Sequence, residues 1–147
     1  MNAREYFETV VQPIFERLKQ EPNALELQVA TTTIIFHAAD HIAETKHLTV
    51  PEVRNVILKQ VPEFEAVWAA SIANKHQVIR RDPASQKGLT SPHQNTPNYL
   101  TLNGARLTLY GSNLTLGTTS CIVLQDGSEV PLLQTLQRVM AVLDQES

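Results

Sequence analysis

Along residues 23–46, NALELQVATTTIIFHAADHIAETK, apolar side chains recur with helical spacing over the longest periodic stretch of the chain. On a helical wheel, Leu25, Leu27, Val29, Ile34, Ile35, Phe36, Ala38, Ala39, Ile42 and Ala43 cover roughly 220°. A surface helix buries a narrower stripe, so this pattern predicts a central helix with neighbours on more than one side. Its remaining wedge carries Glu26, Thr33, His37, Asp40, His41 and Glu44.

The other elements follow from the same pattern. Asn2 and Glu5 have capping-box spacing and open a first helix running to about Gln20, with Phe7, Val10, Val11, Ile14, Phe15 and Leu18 as its stripe. Pro13 lacks an N–H and predicts a kink, or a helix that starts a turn later. Thr49 and Glu52 form a second capping box, with Pro51 early in a short helix that stops near Val61-Pro62. Pro62 opens a fourth helix, PEFEAVWAASIANKHQVIRR, with acids at its start and Arg80 and Arg81 at its end. Connections this short predict antiparallel neighbours.

Residues 82–98 hold three prolines and many small polar side chains, and read as a long mobile loop. After it the period drops to two. Asn103-Gly104 and Asp126-Gly127 mark hairpin turns, Gly111-Ser112-Asn113 marks another turn, and Cys121–Leu124 is a continuous apolar strand. Leu133, Leu136, Val139, Met140 and Leu143 share one face of a closing helix over residues 132–145. The expected class is α+β in a single domain, 1–147. It comprises a four-helix bundle (1–81), the loop (82–98), a small antiparallel β-meander (99–131) and a C-terminal helix.

Composition fits this picture. The chain of 147 residues is 42% hydrophobic and 18% charged, within the range of a globular domain with a real core. Its net charge of −3 argues against bulk electrostatic attraction to nucleic acid or acidic membrane. The lone Cys121 lies in an apolar run and reads as a small buried hydrophobe. There is neither an apolar leader at the amino end nor a long uncharged apolar run, so the expectation is a cytoplasmic protein that does not span a membrane.

Two polar constellations stand out. Lys75 falls within the apolar arc of the fourth helix and needs a carboxylate or a route to water. A seam joining His37, Asp40, Lys75 and His76 across helices two and four supplies the carboxylate; a rim position with the lysine stem over Trp68 supplies the water. These four are the candidate catalytic residues. His37 and His41, one helical turn apart, can chelate zinc or another divalent metal, but such a site needs a third ligand. No acid follows His37, so the HExxH pattern is absent. The HxxxH pair is similar to that of DinB-like bundle enzymes, in which it comes late in the chain rather than early. Lys75, Arg80, Arg81 and Lys87 form a basic run that could meet RNA phosphates, and it equally suits the negative end of a helix.

FHAAD (Phe36 to Asp40) with NKH (Asn74 to His76) resembles small helical proteins near the HEPN group, over residues 23–82. Many of these are RNases or nucleotide-binding helpers. The resemblance implies His76 as a functional position. The group's catalytic arginine, separated from the histidine by four to six residues, has Ala69, Ala70 or Ser71 in its place. No glycine-rich phosphate loop, CxxC or GxSxG motif occurs. The reading is therefore a non-catalytic binding or regulatory module that forms a homo-oligomer. An HEPN-like nuclease or a metal-dependent bundle enzyme is the alternative.

Overall fold

The computed structural model describes residues 1–75, 89–99, 101–102, 105–106, 108–109, 112–113, 115–124 and 129–147. The first helix comprises α1 (Ala3–Tyr6), a π-helical turn (Phe7–Val11) and α2 (Gln12–Gln20). Asn2 caps it, its side chain accepting the Glu5 N–H at 2.8 Å. The widened turn sits where Pro13 removes a backbone donor, and the N–H of Gln12 reaches back to the Phe7 carbonyl. The chain thus meets the proline with a π turn.

α3 (Leu25–Lys46) is the longest helix and packs against α1, α2, α4 and α5. It ends at His47, whose φ of 55° closes the helix in the left-handed region, and the Leu48 N–H bonds the Ala43 carbonyl at 2.9 Å. α4 (Val50–Gln60) begins with the expected capping box. Thr49 accepts the Glu52 N–H, and Glu52 accepts the Thr49 N–H at 2.7 Å. α5 is Phe64–Lys75.

The strands are β1 (Leu89–Tyr99), β2 (Thr101–Leu102), β3 (Ala105–Arg106), β4 (Thr108–Leu109), β5 (Ser112–Asn113), β6 (Thr115–Leu124) and β7 (Glu129–Pro131). α6 (Leu132–Glu146) closes the chain. The main sheet has the antiparallel order β1-β6-β7, and β2-β3 and β4-β5 form two separate ladders between its long strands. The region is therefore not a simple meander. β1 also occupies positions 89–98 of the expected loop. It pairs with β6 from Leu89↔Leu124 to Tyr99↔Thr115 with register irregularities, and as an edge strand it tolerates Pro92 and Pro97. Ser112 and Asn113 are strand residues rather than a turn. Asn103-Gly104 and Asp126-Gly127 lie outside the described residues, but the flanking pairs Leu102↔Ala105 and Val123↔Glu129 are antiparallel.

The fold is α+β, but in place of the expected four-helix bundle the described residues form five helices, counting Ala3–Gln20 as one. α6 packs on α4, α5 and β6, and its apolar face (Leu132, Leu136, Val139, Met140, Val142 and Leu143) belongs to the same core as Leu18, Ile35, Ile42, Ile57 and Phe64. A helix with that much apolar surface is stable only against the core, so it joins the bundle. Ile122 of β6 ties the sheet into this core.

Candidate functional site

The polar wedge of α3 meets the amino-terminal segment. His41 stacks on Tyr6, with ring centroids 4.0 Å apart and planes 23° from parallel. The His41 Nδ1 lies 3.3 Å from the Met1 carbonyl, which can only accept, so this nitrogen carries the ring proton in that contact. One turn further on, Thr45 accepts the Ala3 N–H at 3.0 Å. Burial pushes the Tyr6 hydroxyl above its ordinary range, and the charge of Asp40 adds to the shift. Arg4 joins Glu8 and Asp144, each at 2.6 Å, and Lys46 pairs with Glu146. These contacts bind α1, the end of α3 and the end of α6 to one another.

His37 and Asp40 do come together. Nδ1 lies 3.3 Å from Oδ2, in a pair that is 43% and 50% exposed and so open to water. Phe36 meets the His37 ring edge-on at 5.6 Å and lies 4.3 Å from Trp68 of α5, so this turn of α3 sits against α5. α5 is described as far as Lys75, and His76, Arg80, Arg81 and Lys87 lie outside the described residues. The His76 end of the expected seam, and the basic run beyond Lys75, thus fall there too. His41 faces Tyr6, and among the described residues no three of His, Cys, Asp or Glu gather as a metal centre would require. Cys121 is buried, as its apolar surroundings predict. Among the described residues no helix is long and apolar enough to cross a membrane.

The first half of α3 departs from its hydrophobic pattern. Gln28, Thr31 and Thr32 are buried, while Leu25 is 57% exposed and Val29 and Ile34 are only partly covered. The buried polar groups are partly satisfied locally. Gln28 donates to the Pro22 carbonyl at 2.7 Å, and Thr32 donates to the Gln28 carbonyl at 3.0 Å. The Thr31 hydroxyl has no partner among the described residues. Outside, Leu25, Val29, Ala30 and Ile34, with Glu26 and Thr33, line an open, mainly apolar groove of about 720 Å³. The sequence reading placed Leu25, Val29 and Ile34 in the core and did not single out Tyr6 or Thr45. The available signal was the width of the apolar arc, more than the neighbours of one helix cover.

No family model, no curated protein and no solved structure matches the chain.

Proposed function

We propose that the protein is a non-catalytic binding or regulatory module that works as a homo-oligomer through the outer face of α3. The observation that carries this reading is the inversion in that helix, with Leu25 57% exposed and Gln28 1% exposed. Leaving apolar side chains in water while burying amide and hydroxyl groups is unfavourable for a lone chain, and covering that face with another apolar surface offsets the cost. A second copy supplies such a surface across a two-fold axis, and small Ala30 and Thr33 allow the backbones to approach closely. Light scattering coupled to size exclusion tests this over a range of protein concentrations. The wild type is expected to be oligomeric, and Leu25→Glu with Val29→Glu to give a folded monomer. A wild type that stays monomeric throughout would overturn the reading.

A second reading rests on the Phe36–Trp68 contact, which holds the turn bearing His37 and Asp40 against the helix that carries Lys75. In it, His37, Asp40, Lys75 and His76 serve an HEPN-like nuclease, or His37 and His41 hold a divalent metal in a bundle enzyme. Incubation with single-stranded RNA, with and without zinc and chelator, tests both forms. Cleavage that disappears in His37→Ala and Asp40→Asn would favour this reading, and cleavage unchanged in both variants would exclude it.

A further inference from the structure

We draw no further inference here: the strongest candidate, the apolar groove along the first half of α3, belongs to the surface already proposed for a second copy, and nothing in the structure shows what else covers it.

Discussion

Tyr6 lies flat against His41, and the contact joins the first turn of α1 to the C-terminal third of α3. An aromatic pair of this kind contributes about 0.5–1.5 kcal/mol beyond its buried area. Tyr6→Ala and His41→Ala should each destabilise the protein. In urea unfolding the double variant should lose less than the sum of the two, and strict additivity would show that the rings are neighbours without coupling.

The Tyr6 hydroxyl also sets an alkaline limit. Its pKa is raised above 10.0, by burial first and by Asp40 second, so the folded chain holds this proton longer than the unfolded chain. Stability is fully present below the unfolded pKa and is lost as pH rises through the folded one. Tyr6→Phe should remove this loss while keeping the stacked ring. Denaturation midpoints from about pH 9 to about pH 11 measure it.

The acid side belongs to α4. The Thr49 N–H and hydroxyl hold the Glu52 carboxyl below 4.5. Its contribution is present above the unfolded pKa and is lost as pH falls through the folded one. Glu52→Gln should flatten the stability profile below about pH 4.5, its unfolded-state range. Thr49→Ala should cost about 1 kcal/mol at neutral pH by removing the cap. Thermal unfolding across acid pH separates the two effects.

Two buried hydroxyls offer the opposite result. Thr31 and Ser71, 1% and 0% exposed, have no hydrogen-bond partner among the described residues. Thr31→Val and Ser71→Ala remove groups that were desolvated without return, and each should stabilise by about 1 kcal/mol. Equal or lower stability in both would mean that the hydroxyls are satisfied by water or by the i−4 carbonyl.

His47 closes α3 at a φ of 55°, a region that costs most L-residues about 1 kcal/mol or more. His47→Gly should raise stability by about 0.5–1 kcal/mol, the relief being partly offset by the entropy of glycine in the unfolded chain. A fall in melting temperature would show that the imidazole makes a contact worth more than the strain.

What was legible in the sequence was local. The Thr49–Glu52 capping box and the stripe on α6 depend on residues within a turn or two of one another. The box occurs as read, and Leu136, Val139, Met140 and Leu143 are buried as expected, with Leu132 and Val142 buried beside them and Leu133 only partly covered. β1 was read as loop because Pro92, Pro97 and their polar neighbours look like loop chemistry, while its partners in β6 lie 16 to 35 residues further along the chain, from Tyr99↔Thr115 to Leu89↔Leu124. The face of α3 failed for a related reason. Spacing fixes which residues share a side of a helix, but only the neighbours decide which side is inward. His37 and Asp40 meet because they stand at i, i+3, a proximity that spacing alone gives, whereas the stacking of His41 on Tyr6 is set by tertiary packing.

The π-helical turn at Phe7–Val11 keeps time for the first helix. Its buried residues are Ala3, Phe7, Val11, Phe15 and Leu18, and the first four stand four apart. In an unbroken α-helix each step of four overshoots a full turn by about 40°, so such a row winds away from the core. One wide turn gives back part of that advance and brings the row into line again. In this helix the spacing of four that runs across Pro13 thus goes with a correction of phase, one that residue preferences alone would pass over.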